Sequence, residues 1–220
     1  MNRALTLLSL AAFMAPALAA QNDAAERLAG RVPPAVVTAV TALVDSARAR
    51  GLPGTPLVDK ALEGAVKGVP ADRILPAVHA VLDQLDASAG ALRAAGDATP
   101  SDAAIEAGGF AIAAGLTVSD VAAIAGAADK QHPTAVALQV AGSLAALGVP
   151  RPETVGLVRA EIQSGRPLSD LVSLPGQVQA AMAGGALPAA AAQGLERAAT
   201  VHQAPRPSGQ ARGQGNPHKP

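Results

Sequence analysis

Gly51-Leu52-Pro53 and Gly68-Val69-Pro70 form a pair of Gly-x-Pro triplets 17 residues apart, and the pair recurs as Gly148-Val149-Pro150 and Gly165-Arg166-Pro167. A looser copy, Gly115-Leu116-Thr117, lies between the two pairs. Glycine just past the end of one helix and proline just inside the start of the next are typical of short helices joined by tight turns. The triplets therefore predict a series of helix hairpins.

Apolar residues between the triplets repeat with the 3.6-residue period of an amphipathic helix. Three such stripes are Val36, Val40, Leu43, Ala47; Ile74, Val78, Val81, Leu85, Leu92; and Val136, Val140, Leu144, Leu147. No segment shows the alternating pattern of a strand. The sequence thus predicts an all-α fold of about eight or nine helices, either stacked helix hairpins in an irregular α-solenoid with units of roughly 45 to 50 residues, or a compact multi-helix bundle.

Four local signals set expectations for single helix ends. Thr99-Pro100-Ser101-Asp102 and Thr117-Val118-Ser119-Asp120 both resemble a capping box with aspartate in place of glutamate, which predicts a helix start at each threonine. Pro76 is expected to delay or kink its helix, because it has no N–H to donate. Pro175-Gly176 is expected to interrupt another helix.

The first residues have the features of a secretory signal peptide. Arg3 supplies a positive charge, Ala4 to Met14 are apolar, and Ala17-Leu18-Ala19 is the small-x-small pattern that signal peptidase accepts. The apolar run is shorter than the roughly 20 residues that span a membrane. We predict cleavage after Ala19 or Ala20, no transmembrane segment in the mature chain, and a periplasmic or secreted protein.

Three segments follow from this division of the chain. Residues 1–19 are the predicted signal peptide, and residues 20–200 are a predicted single α-helical domain. Residues 201–220 are rich in Pro, Gly and Gln without an apolar period, which predicts a disordered tail.

Composition excludes several classes of site. The chain has no Cys, so disulfides, thiolate metal sites and a cysteine-linked lipid anchor are excluded. It has no Trp or Tyr and two Phe, of which Phe13 belongs to the predicted signal peptide and Phe110 does not. Few aromatic platforms therefore remain for stacking on sugars or bases.

Charge is balanced overall but unevenly distributed. Residues 20–200 carry 13 Lys and Arg against 17 Asp and Glu, whereas the tail carries Arg206, Arg212 and Lys219 with no acid. A mildly acidic helical body lacks the basic footprint of a nucleic-acid-binding protein. We therefore predict no nucleic-acid partner.

One stretch resembles a known group of proteins. It runs Leu57-Val58-Asp59-Lys60-Ala61-Leu62-Glu63-Gly64, followed by Lys67-Gly68-Val69-Pro70-Ala71-Asp72-Arg73-Ile74. This stretch resembles a segment of exported, uncharacterised α-helical proteins of GC-rich bacteria. The likeness weakens across residues 134–150 and is absent from the tail. The resemblance implies an exported helical family and no particular activity.

The strongest candidate binding site is a charged group at one predicted helix–turn–helix junction: Lys60, Glu63, Lys67, Asp72 and Arg73. Such a group can form a polar recognition patch at the tip of a hairpin. The same residues also suit ordinary helix stabilisation, with Asp72 in a first turn, Lys67 in a last turn and Glu63 paired along the surface. We favour the second interpretation.

No catalytic, metal or cofactor motif is found in the sequence. His79, Asp83 and Asp86 share a helix face, but an exposed amphipathic face gives the same pattern and a second histidine is missing. There is no Gly-x-Ser-x-Gly elbow, glycine-rich phosphate loop or His-Glu-x-x-His. We therefore predict no catalytic residue, no metal and no cofactor.

Two functions remain as hypotheses. The first is an exported helical scaffold or protein-binding module whose partner is another protein of the cell envelope. The alternative is an envelope enzyme with an unrecognised site near Lys60–Arg73.

Overall fold

The computed structural model of the protein describes residues 23–203. This range contains ten α-helices and no strand, which confirms the all-α prediction. The helices are α1 (23–28), α2 (Pro34–Ala49), α3 (Thr55–Val66), α4 (Ala71–Ala94), α5 (Asp102–Ala113), α6 (Val118–Ala125), α7 (Thr134–Ala146), α8 (Arg151–Gln163), α9 (Leu168–Ala183) and α10 (Pro188–Gln203).

Most of these helices stack in two rows. Helices α5, α7 and α9 lie side by side in one row, and α4, α6, α8 and α10 form the other, while α2 and α3 pack on α4 and on each other. Successive pairs begin at Asp102, Thr134 and Leu168, so one pair takes 32 residues and the next 34. The expected unit of 45 to 50 residues is therefore wrong, because each of these pairs consists of two helices of only 8 to 13 residues.

The Gly-x-Pro triplets do form the joints between helices. Gly68 has a φ of +66°, and the amide of Val69 donates to the carbonyl of Gly64 over 2.9 Å, as in a Schellman motif. The position of proline differs from the prediction. Pro70 is extended (φ −57°, ψ 145°) and immediately precedes α4 instead of lying in its first turn. Its fixed φ suits this N-cap position, and residues 67–70 connect α3 to α4.

Gly68→Val should destabilise the protein by about 1 kcal/mol or more, because a left-handed backbone strains an L-residue and β-branching adds crowding. No atom lies within 4 Å of a Cβ built at Gly68, so the strain is purely local. Gly90 in α4 is the matched control: it too has open space, and Gly90→Ala should stabilise the helix by up to about 1 kcal/mol. Urea unfolding of both variants measures the difference. A neutral Gly68→Val would contradict the assigned turn.

Gly64 is unsuitable as that control, although it lies inside α3. A Cβ added there would be 3.0 Å from Cγ1 of the buried Ile74, which belongs to the first turn of α4. The glycine therefore lets a side chain, and not another helix backbone, approach α3. The expected gain in helix propensity on Gly64→Ala is opposed by this contact.

Helix starts agree with the sequence in one case and differ in the other. The capping box of Thr117 is confirmed, since the hydroxyl accepts from the Asp120 amide (3.3 Å) and the Asp120 carboxylate accepts from the Thr117 amide (2.8 Å). The start predicted at Thr99 is displaced to Ser101. The Ser101 hydroxyl accepts from the Ala104 amide over 3.2 Å, so the serine nearer to α5 supplies the cap.

Proline does not interrupt the helices in which it lies. Helix α9 continues through Pro175 to Ala183, so the predicted interruption is wrong. Leu171, Leu174 and Val178 surround the proline in sequence and are buried in the core. Their burial outweighs the lost backbone hydrogen bond, which costs about 3 kcal/mol in an exposed helix.

The two ends of the chain lie outside the described residues. The predicted signal peptide falls there entirely, as do residues 204–220 of the predicted tail. The predicted domain boundary at residue 200 lies inside α10, which extends to Gln203. Across residues 23–203, no helix combines the length and apolar character needed to cross a membrane.

Candidate binding groove

A groove of about 900 Å³ crosses the stack between α3 and the row formed by α5, α7 and α9. Helix α4 contributes to its floor. The lining residues are Thr55, Pro56, Asp59, Lys60 and Glu63 from α3; Val81, Gln84 and Leu85 from α4; Ala103, Glu106, Ala107, Gly109 and Phe110 from α5; Ala135, Val136, Gln139 and Val140 from α7; and Val172 from α9.

Phe110 is the one Phe, Tyr or Trp side chain among residues 23–203, and it lies in this groove. Its side chain is held against α7 at Gly142, where an added Cβ would be 2.5 Å from the ring Cδ1. The residue nevertheless remains 38% exposed, and Val172 farther along the groove is 53% exposed. The groove therefore exposes apolar side chains to solvent, and α7 supports the Phe110 ring.

Charged side chains lie on the α3 side of the groove and are largely paired. Arg27 donates to Asp59 over 2.6 Å, and Lys60 donates to Glu63 over 2.9 Å. Lys67 also donates to Glu63. Hydrogen bonds from Lys67 and then Lys60 lower the pKa of Glu63 to about 2. These pairs are exposed, so they contribute little to stability.

Glu106 differs from the other carboxylates of the groove. Within residues 23–203, its carboxylate forms no hydrogen bond or ion pair with another side chain or backbone group. Partial burial raises its pKa, and the nearby carboxylates of Asp102 and Asp59 raise it further. A negative charge at this position is thus poorly compensated within the protein, and a bound cation would stabilise it.

The five residues of the predicted polar patch do not form one site. Lys60 and Glu63 line the groove, and Lys67 joins them through its bond to Glu63. Asp72 and Arg73 are exposed in the first turn of α4 and do not line the groove. The turn at Gly68 separates the two groups. The larger site, which includes Phe110, combines residues from five helices, and no sequence motif links them.

A second polar cluster, also missed from the sequence, ties two loops together. The fully buried His132 lies between Asp129, whose Oδ1 is 3.1 Å from Nδ1, and the Arg166 carbonyl, which is 2.8 Å from Nε2. Asp129 Oδ1 also accepts from the amides of Gln131 (2.8 Å) and His132 (2.7 Å). The Asp-x-x-His spacing before Pro133 is the only sequence signal for this loop.

Arg166 continues this cluster on the far side. Its Nη2 lies 2.8 Å from Asp170 and its Nε lies 3.6 Å from Glu161, whose side chain is buried. A buried carboxylate is stable in a protein only with such compensation. The cluster therefore fixes the loop before α7 against the turn between α8 and α9, and we assign it a structural role.

The structure brings no metal site together in the part of the chain it describes. On the face of α4 that carries His79, Asp83 and Asp86, His79 is exposed and Asp86 forms an ion pair with Arg50 at 3.3 Å.

Comparison of the chain with protein-family models, with curated proteins and with solved structures finds no match in any of the three.

Proposed function

We propose that this protein is an exported helical binding module of the cell envelope and that it binds another envelope protein through the groove. The observation that carries the proposal is the exposed apolar side chain of Phe110, supported from below by α7. Aromatic residues in concave sites are frequent anchors of protein–protein binding.

The arrangement of the helices supports binding over a purely structural role. Stacked helix pairs characteristically recognise partners along a groove to which successive helices contribute. Here α3, α5, α7 and α9 all contribute side chains to one groove. When a partner binds, removal of this apolar surface from water lowers the free energy and so favours binding.

Localisation in the periplasm or outside the cell rests on the predicted signal peptide of residues 1–19. The absence of Cys agrees with a protein that needs no particular redox environment. The alternative, an envelope enzyme with a site near Lys60–Arg73, stays a prediction.

Photocrosslinking in the native host tests the proposal. A benzoylphenylalanine placed at Gln139, which lines the groove, should give a discrete adduct with a partner protein in the envelope fraction. The same residue placed at Gln177, an exposed position on α9 that does not line the groove, should give none. Equal adducts at both positions, or none at Gln139, would contradict binding through the groove.

Intact-mass measurement of the protein from the same fraction is the control for export. The mature chain should begin at Ala20 or Gln21. A species that retains residues 1–19 in the cytoplasm would overturn the localisation without affecting the crosslinking result.

A further inference from the structure

We infer that the segment bound by the groove is an amphipathic α-helix of the partner, with apolar side chains over Phe110 and one Lys or Arg opposite Glu106. This inference rests on the proposed function and adds the chemistry of the occupant. Three features of the groove lead to it: its walls, its uncompensated carboxylate and its exposed apolar floor.

The walls of the groove favour a helical occupant. All of its lining residues belong to helices, and residues 23–203 contain no strand whose free edge could pair with an extended peptide. An extended segment would find no strand to pair with, and those of its backbone N–H and C=O groups that face the apolar floor would lose their water partners. A helix satisfies these groups internally and presents only side chains to the groove.

The charges of the groove favour a cation on that helix. Among residues 23–203, Lys60 is the only cationic side chain that lines the groove, and it already donates to Glu63. Glu106 lies near the carboxylates of Asp59 and Asp102, and it has no cationic partner in the described part of the chain. An incoming Lys or Arg would supply the missing charge.

The apolar floor argues against the protein's own C-terminal residues as the occupant. Residues 204–220 carry Arg206, Arg212 and Lys219, but no Leu, Ile, Val, Met or aromatic residue. They offer cations without an apolar face to cover Phe110 and Val172. A segment of another protein with both properties fits the groove better.

Two synthetic peptides test the inference directly. Each is an 18-residue amphipathic helix with a Leu-rich face and one Trp, and the two differ by a single Lys or Gln at the edge of that face. The protein contains no Trp or Tyr, so the fluorescence of the peptide Trp reports binding without background. The Lys peptide should bind about three- to fivefold more tightly than the Gln peptide, as expected for a partly exposed ion pair.

Variants of the protein locate the contacts. Glu106→Gln should abolish the preference for the Lys peptide, whereas Glu26→Gln, which removes the same charge outside the groove, should retain it. Phe110→Ala should weaken both peptides about tenfold. Val172→Ala is a milder groove variant in case Phe110→Ala unfolds, and the exposed Leu187, outside the groove, supplies the control Leu187→Ala.

Several results would overturn the inference. If the unaltered protein bound the two peptides equally, the inferred Lys or Arg opposite Glu106 would be rejected. Absence of peptide binding, together with a persisting adduct at Gln139, would reject the helical occupant while leaving the proposed function intact. A dimer in sedimentation that Val172→Ala dissociates and Leu187→Ala does not would identify the occupant as a second copy of this chain.

Discussion

Replacing Gly142 with leucine is expected to lower the free energy of unfolding by about 2 to 3 kcal/mol. A Cβ at this position would lie 2.5 and 2.6 Å from Cδ1 and Cε1 of Phe110 and 3.2 Å from Cα of Ala111. The ring can turn toward the groove, but the backbone of Ala111 cannot yield without separating α5 from α7. Overpacking of this kind typically costs 1 to 3 kcal/mol, or more where backbone must move.

Gly90→Leu is the matched control, because Gly90 also lies within a helix but has no atom within 4 Å of an added Cβ. Leucine is a better helix former than glycine, so this variant should be neutral or stabilised. Urea unfolding of the two variants isolates the packing cost. Equal stabilities would show that α5 and α7 do not approach each other at Gly142.

A double-mutant cycle separates the two contacts of Gly142. Adding Phe110→Ala to Gly142→Leu removes the clash with the ring but leaves the approach to Ala111. We expect partial recovery of the packing loss, relative to the separate effects of the two substitutions.

The joints of the fold were predictable because their causes are local. Glycine at positions 68 and 165 adopts positive φ, which few other residues do at low cost, and the proline two residues later excludes a continuous helix. The hydrophobic stripe of α4, with Ile74, Val78 and Leu85 buried, likewise follows from spacing within one segment.

Packing between helices was not predictable in the same way. Gly108 and Gly109 suggest a weak helix when α5 is considered alone. In the fold, a Cβ at Gly108 would be 2.1 Å from Oγ of the buried Ser88, so the glycine allows α5 to approach α4. The benefit depends on a residue 20 positions away, and no local pattern identifies it.

The candidate groove shows the same division. The sequence draws attention to Lys60 and Glu63 through their charge, and both do line the groove. Glu106 and Phe110 lie on another helix and carry no motif. Glu106 matters because it is partly buried near the carboxylates of Asp102 and Asp59, and Phe110 because its side chain is exposed in the groove. Both properties depend on how α3 and α5 are placed relative to the other helices.

Replacing His132 with alanine is expected to destabilise the protein by about 2 to 4 kcal/mol. The imidazole is fully buried, and its two nitrogens lie within hydrogen-bond distance of Asp129 and the Arg166 carbonyl. Truncation leaves a cavity and removes the direct contact between the two loops. Loss of a buried side chain and of its polar partners are among the mechanisms that give large effects.

His79→Ala is the matched control, because His79 is exposed on α4 and its removal should change stability by less than about 0.5 kcal/mol.

NMR titration of Asp129 then distinguishes loss of the imidazole from unfolding of the loop. The backbone amide of residue 132 is the largest cause that lowers the pKa of Asp129, followed by smaller contributions that include the imidazole. Alanine retains that amide, so most of the lowering should persist in His132→Ala if the loop stays folded. A lowered Asp129 pKa stabilises the folded state above about pH 4, and this stabilisation is lost as the pH falls through the folded-state pKa. The dependence of unfolding free energy on acidic pH should therefore also be preserved in His132→Ala. An Asp129 pKa restored to its ordinary value would mean that the imidazole holds the entire loop, and a stability loss matching that of His79→Ala would contradict the tie between the two loops.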